Sequence, residues 1–105
     1  MKVVLLESAE LDLQELRTYI VKNFSAATWQ HTYQKLKESI RHLANFPFMG
    51  SVPEALESLQ LVQYRQTLSG MNRIIYEVRQ DTVFIHLIVD TRRDIASVLM
   101  RRLIR

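Results

Sequence analysis

The sequence predicts an α+β domain in which a short N-terminal strand and an antiparallel helical hairpin pack on one face of an antiparallel β-sheet. A short basic helix is predicted to follow the sheet. Two observations support this fold class. From Ala9 to Leu43, apolar residues recur every three or four positions, which is typical of amphipathic helices. From about residue 60 onwards, apolar and polar residues alternate in short runs, which is typical of strands.

The N-terminal half is predicted to form a strand at 3–6 followed by two helices. Ser8 is a candidate cap for the first helix and Ser25 for the second. The apolar face of the first helix comprises Ala9, Leu13, Leu16, Ile20 and Phe24. The apolar face of the second comprises Trp29, Tyr33, Leu36, Ile40 and Leu43. Phe46-Pro47 ends the second helix, because the residue before a proline avoids the helical conformation. The short joint at 23–25 favours an antiparallel hairpin.

Three strands are predicted at about 60–67, 72–79 and 82–90. A two-residue turn at Gln80-Asp81 sets the pairing of the last two strands. In that register the facing pairs are Val78 with Val83, Tyr76 with Ile85, and Ile74 with Leu87. Since this face is uniformly apolar, it is expected to meet the helices.

The opposite sheet face is predicted to be polar-edged and to bring four side chains together: Arg65, Arg73, Glu77 and His86. Arginines beside a histidine and a carboxylate are suited to handling phosphate, with the histidine or the glutamate transferring a proton. A histidine in the middle of an apolar strand is more often a core residue. Both interpretations of His86 stay open from the sequence.

The last helix is predicted to start near Thr91, with Asp94 completing a capping box. Arg92 and Arg93 then fall in the first helical turn, where the helix dipole disfavours cations. A local choice against that rule suggests that the two arginines contact a partner; the alternative is a surface turn in which Asp90 and Asp94 balance their charge. The polar side of this helix is predicted to carry Arg101, Arg102 and Arg105, opposite an apolar side of Ile95, Leu99 and Leu103.

Charge is distributed unevenly along the 105 residues, which are expected to form a single domain over 1–105. Residues 1–59 carry a net charge of −1 and residues 60–105 a net charge of +4, supplied by arginine alone. The planar guanidinium group of arginine pairs well with carboxylates and phosphates, so residues 60–105 are expected to contact an acidic partner. The alternative is a basic surface that is simply solvated.

Several classes of protein are excluded or disfavoured. The chain has no cysteine, which suits a cytoplasmic location, and no apolar run of membrane-spanning length, so no membrane partner is expected. Neither His31 nor His42 has a partner at metal-ligand spacing, and there is no phosphate-binding or dinucleotide-binding loop. We therefore expect no metal and no cofactor.

The order Y-R, S-G-x-x-R-I-I-Y-x-V, V-x-I and R-R-D after two helices resembles the RelE/ParE superfamily of bacterial toxins. The resemblance covers nearly the whole chain, including the Pro-x-x-Gly loop at 47–50. It implies the toxin of a type II toxin–antitoxin module, a role also described as plasmid stabilisation. It further implies a cognate antitoxin, whose acidic, amphipathic C-terminal segment wraps the toxin in a hetero-oligomer.

Two activities divide the superfamily, since RelE-like members cut mRNA in the ribosome and ParE-like members poison DNA gyrase. Arg73 matches a family arginine and Arg92 lies near a second. Residues 54–63 lack the lysine pair of RelE-like chains, and no tyrosine or histidine follows Arg93. The resemblance therefore favours a ParE-like gyrase inhibitor that is not an enzyme.

Two alternatives remain at the level of sequence. One is a ribosome-dependent mRNA endonuclease, in which Arg73, Arg92 and His86 would be catalytic. The other is a non-toxic binding or plasmid-stabilising subunit. The residues predicted to contact the target or partner are Arg65, Arg73, Arg92, Arg93, Arg101 and Arg102.

Overall fold

A computed structural model of the protein describes residues 1–103, the last of these by its backbone alone. Arg105 and the side chain of Leu103, both predicted on the last helix, lie outside the described part. The elements in chain order are β1 (Lys2–Leu5), α1 (Glu7–Asn23), α2 (Ala26–Asn45), α3 (Glu54–Glu57), β2 (Tyr64–Ser69), β3 (Asn72–Arg79), β4 (Thr82–Asp90) and α4 (Ile95–Leu103). The α+β class and the helical hairpin are confirmed.

The helix caps agree with the sequence prediction at one helix and differ at the other. Ser25 caps α2 as predicted, since its Oγ accepts the Thr28 N–H at 3.0 Å. The prediction for Ser8 was wrong, because α1 already begins at Glu7 and has no side-chain cap. The Ser8 hydroxyl instead donates to the carbonyl oxygen of His86 at 3.1 Å, which ties α1 to the sheet.

The four strands form one mixed sheet in the order β1-β4-β3-β2. Strands β2, β3 and β4 form the predicted antiparallel meander, and β1 adds a parallel strand beside β4. The bounds predicted for β3 and β4 are confirmed. Strand β2 begins at Tyr64 and not near residue 60, because the short helix α3 and a turn with a positive φ at Gln60 occupy the preceding segment.

The register of β3 and β4 follows the prediction only near the turn. Val78 opposes Val83 and Tyr76 opposes Ile85, as expected. Beyond a shift between Ile75 and Tyr76, however, Ile74 opposes Ile88 and not Leu87. His86 is the residue of β4 left without an opposite neighbour, which is the arrangement of a β-bulge.

Both faces of the sheet are covered. On one face, α1 and α2 enclose a core whose members include Ala9, Leu36, Leu43, Ile74, Tyr76, Val83 and Ile85. On the other face, α3 and α4 enclose a second core of Leu56, Tyr64, Ile75, Leu87, Val89, Ile95, Val98 and Leu99. The prediction of a polar-edged second face was wrong for most of that face, because the apolar side of α4 buries it. Among residues 1–103, no helix has the length and apolarity needed to cross a membrane.

Candidate functional site

The β-bulge is held by side chains from two helices. Asp12 on α1, which is 8% exposed, accepts the backbone N–H of Ile88 at 2.9 Å. Arg102 on α4 donates hydrogen bonds from two nitrogens to the same carboxylate, at 2.6 and 3.1 Å. It also donates to the carbonyl oxygen of His86 at 3.0 Å. We call Asp12, Arg102 and the bulge at His86 the bulge clamp.

The bulge clamp corrects the expectation for Arg102. Its side chain is not on a free polar side of the last helix but is three-quarters buried against Asp12, with 25% exposed. Asp12, which lies 90 residues before Arg102, was not among the residues predicted from the sequence to be functional. An acid at an otherwise apolar helix position would have been the signal. Arg101, the residue before Arg102, is exposed.

His86 is packed inside the second face of the sheet and not presented to solvent. Its Nε2 lies 3.0 Å from Oε1 of Glu77, and each side chain is only 15% exposed. The ring of Tyr64 meets the imidazole edge-on at 5.1 Å, and Arg79 lies 3.4 Å from the Glu77 carboxylate. Burial lowers the pKa of His86, although the hydrogen bond to Glu77 acts in the opposite direction. This environment favours the interpretation of His86 as a core residue.

Arg65 lies on the face that meets the helical hairpin, so its predicted position on the second face was wrong. Because Arg65 opposes Tyr76, the side chains of Tyr64 and Gln66 take the second face instead. Arg65 donates to the Gly50 carbonyl oxygen at 2.6 Å and lies over the Phe48 ring at 5.2 Å. It therefore fastens the loop after α2 to the sheet.

Gly50 explains why that loop sits so close to β2. Its N–H donates to the Tyr76 hydroxyl at 3.0 Å, and a Cβ at this position would collide with the carbonyl oxygen of Gln66. Only a residue without a side chain fits this approach. The hydroxyl of Tyr76, which is fully buried, thus finds its partner at the end of the Pro-x-x-Gly loop.

Arg73 is on the second face, as predicted, but its hydrogen-bond partners are uncharged. Its Nη1 donates to Oε1 of Gln66 at 2.6 Å and its Nη2 to the carbonyl oxygen of Thr91 at 3.1 Å. Its Nε is buried and has no hydrogen-bond partner among the described residues. Together with Arg93, the side chain lines a cleft of about 540 Å³.

The segment before α4 is arranged differently from the prediction. The helix begins at Ile95 and is capped by Asp94, whose carboxylate accepts the Ser97 N–H at 3.3 Å and the Ser97 hydroxyl at 2.9 Å. Those bonds hold the pKa of Asp94 below its usual range. Arg92 and Arg93 therefore precede the helix and do not lie in its first turn, and Thr91 is not its cap.

Arg92 is paired with Asp90. Its Nε and Nη2 contact the two carboxylate oxygens at 2.9 and 3.0 Å, while its backbone N–H adds a third bond at 2.8 Å. These hydrogen bonds lower the pKa of Asp90 to about 2. The Arg92 side chain is nevertheless 81% exposed, so the pair sits on the surface.

The four side chains predicted to meet on the second face do not form one group. His86 pairs with Glu77, Arg73 bonds Gln66, and Arg65 points to the opposite face. Arg73 and Arg92 line different cavities. No cluster of three or more potential metal ligands occurs within residues 1–103.

Comparison with known proteins gives a family and a fold. The sequence model described as "ParE toxin of type II toxin-antitoxin system, parDE" matches residues 3–95. The fold is similar to a chain of the "Chromosomal ParDE TA system from P. aeruginosa", with a TM-score of 0.71 and 15% sequence identity. The alignment covers 86% of this chain and 95% of that chain, and at this identity the likeness concerns the fold. No curated protein matches the sequence.

Proposed function

Because the chain belongs to the family of ParE toxins of type II toxin–antitoxin systems, we propose that it arrests bacterial growth by binding and poisoning DNA gyrase. A cognate antitoxin neutralises it by covering part of its surface with an acidic, amphipathic segment that folds as it binds. This target places the protein in the cytoplasm.

The dispersal of the candidate catalytic residues is the observation that favours binding over RNA cleavage. An acid–base nuclease needs its proton-transfer group within hydrogen-bond reach of the reacting atoms and beside the cations that hold the phosphate. Here His86 is buried against Glu77, while Arg73 and Arg92 line separate cavities. A toxin that acts by occupying a surface of its target needs no such group.

The toxin role is tested by expression in bacteria. Expression of the chain alone is expected to arrest growth, and co-expression of the cognate antitoxin is expected to restore it. Harmless accumulation of soluble, folded protein would contradict the toxin role and would favour a non-toxic binding or plasmid-stabilising subunit.

The target is tested by two assays with purified components. We expect the protein to inhibit DNA supercoiling by gyrase and to leave mRNA intact in a translating extract. His86→Gln should inhibit supercoiling as well as the parent does, provided that circular dichroism shows it folded. Codon-dependent mRNA cleavage that His86→Gln abolishes, with gyrase unaffected, would replace the proposal with the nuclease alternative.

A further inference from the structure

The loop that follows α2 presents three large apolar side chains to solvent within four residues. Phe46 is 61% exposed, Phe48 is 62% exposed and Met49 is 49% exposed. We call residues 46–49 the apolar loop. A single exposed apolar side chain is ordinary on a protein surface, whereas several large ones together are typical of an interaction site.

The apolar loop is tied to the sheet from behind. The Gly50 N–H donates to the hydroxyl of Tyr76, a fully buried residue, at 3.0 Å, and Ser51 forms a β-bridge with strand β2. Arg65 donates to the Gly50 carbonyl oxygen at 2.6 Å and lies over the ring of Phe48. The backbone is therefore fixed while the apolar side chains stay in solvent. A contact that is preorganised in this way loses less conformational entropy on binding.

The charged side chain that contacts the apolar loop is that of Arg65. Residues 46–53 themselves contain no charged side chain. The hydrogen bonds of the Arg65 guanidinium go to the backbone carbonyl oxygens of Phe48 and Gly50, and Arg65 forms no ion pair among residues 1–103. Apolar side chains beside one such cation are complementary to an apolar pocket with a carboxylate at its rim.

We propose that the apolar loop docks into an apolar pocket on the folded target protein, with Phe48 as the central anchor and Arg65 facing a carboxylate at the rim. The inference rests on the proposed function, in which this target is gyrase, and it gives the surface of the toxin that gyrase contacts. A convex loop needs a concave receptor that is already formed. A folded enzyme presents such a pocket, and an antitoxin segment that folds as it binds does not.

A lipid surface is the other partner that exposed aromatic side chains fit. Anionic membranes attract proteins through clusters of basic residues beside the apolar element. The apolar loop has the guanidinium of Arg65 beside it, and residues 46–53 supply no further cation. The observations therefore favour a protein pocket over a membrane.

The test compares two phenylalanines of similar exposure that lie at opposite ends of α2. Phe24 precedes this helix and is 66% exposed, and the helix separates it from the apolar loop by about 30 Å. In the supercoiling assay with purified gyrase, Phe48→Ala should raise the concentration for half-inhibition roughly 30-fold, as expected for the loss of an aromatic anchor. Phe24→Ala should inhibit as well as the parent does, and Phe48→Leu, which keeps an apolar side chain, should retain most of the inhibition.

Thermal unfolding shows whether each variant is folded. The Tm of Phe48→Ala and of Phe24→Ala should stay near that of the parent, because truncation of an exposed side chain changes stability little. Phe46→Ala provides a second measurement that leaves the contact between Arg65 and Phe48 in place. It should weaken the inhibition of gyrase as well.

The outcomes separate this inference from the proposed function. A parent that inhibits gyrase, together with folded Phe48→Ala and Phe46→Ala that inhibit equally, would overturn the apolar loop as the contact and leave gyrase as the target. A parent without effect on gyrase would overturn the proposed function and, with it, gyrase as the protein that receives the loop.

Two further measurements examine the other partners. The parent should not sediment with vesicles of phosphatidylglycerol and phosphatidylethanolamine; sedimentation that Phe48→Ala abolishes would replace the protein pocket with a membrane. Phe48→Ala should still bind the cognate antitoxin. Loss of antitoxin binding with unchanged inhibition of gyrase would assign the apolar loop to the antitoxin instead.

Discussion

Arg102 and Arg73 come from the same basic half of the chain and are both partly buried, yet the fold treats them differently. Arg102 meets a buried carboxylate at 2.6 Å and caps the carbonyl oxygen of the bulged His86. Among residues 1–103, Arg73 meets only an amide and a backbone carbonyl oxygen, and its Nε has no acceptor there. Arg102 is therefore neutralised within the fold, whereas Arg73 has no ion-pair partner among residues 1–103. The two arginines are the same residue type, and they differ in whether a counter-ion lies beside the guanidinium.

The largest effect is expected when the bulge clamp loses its carboxylate. Asp12→Ala leaves Arg102 without its ion pair and the Ile88 N–H without its acceptor. Breaking a buried pair from one side costs roughly 3–5 kcal/mol, so the free energy of unfolding should fall by about that amount. Urea denaturation followed by circular dichroism measures it.

Glu15 supplies the control for that variant, since it is an exposed acid on the same helix. Glu15→Ala should change the free energy of unfolding by less than about 0.5 kcal/mol. If Asp12→Ala proved equally mild, the ion pair between α1 and α4 would not be what holds the bulge.

An intermediate effect is expected from pH at His86, which Glu77, Arg79 and Arg102 surround. Its pKa in the folded protein lies below the ordinary value of 6.5, so the folded state binds this proton more weakly than the unfolded chain does. The stabilisation that the neutral histidine provides is therefore complete at pH values above 6.5. It is lost as the pH falls through the pKa that His86 has in the folded protein. Denaturation curves between about pH 7.5 and about pH 5 should show the loss, and His86→Gln should reduce it.

The control for this titration is His31→Gln, which changes an exposed histidine on α2. It should preserve the slope of stability against pH in the same range. A slope that survived in His86→Gln would assign the pH dependence to other groups.

The smallest effect on stability is expected at the exposed pair before α4. Replacing Arg92 and Arg93 together with glutamine removes one surface ion pair and one exposed cation, and surface pairs contribute little. The Tm should stay near that of the parent, while the pKa of Asp90 should rise from about 2 towards 3.8. NMR titration of the carboxyl groups measures that shift.

The same double variant tests whether Arg92 and Arg93 contact the target or support the fold. Growth arrest should weaken in the folded protein if these arginines touch the target. Full toxicity would remove them from the contact surface, and a large fall in Tm would show that they support the fold.

Local patterns in the sequence were sufficient for most of the secondary structure. The alternation of 72–79 and 82–90 predicted both strands and their turn, since each strand pairs with its chain neighbour and one face is continuously apolar. The apolar periodicity of α2 and its Ser25 cap were likewise visible within a few residues of each other. All these signals are local.

The misplaced residues depended on contacts between distant parts of the chain. The bulge that moves Ile74 opposite Ile88 is stabilised by Ser8, Asp12 and Arg102, each far from His86 in sequence. The register of β2 with β3 decides on which face Arg65 lies. No turn signal in the residues before Tyr64 predicted that register. The predictions for the candidate site were the least accurate, because a register shift of one residue moves an arginine to the other face of the sheet.

The difference between Arg73 and Arg102 is tested most directly by comparing Arg73→Gln with Arg102→Gln in one experiment that measures the free energy of unfolding and growth arrest. Arg102→Gln should lose roughly 3 kcal/mol or more, because it leaves the buried Asp12 carboxylate unpaired. Arg73→Gln should lose less than Arg102→Gln, because it leaves no buried charge unpaired, and should still lose growth arrest while folded. A folded, fully toxic Arg73→Gln, or a loss of stability equal to that of Arg102→Gln, would contradict the division between the two arginines.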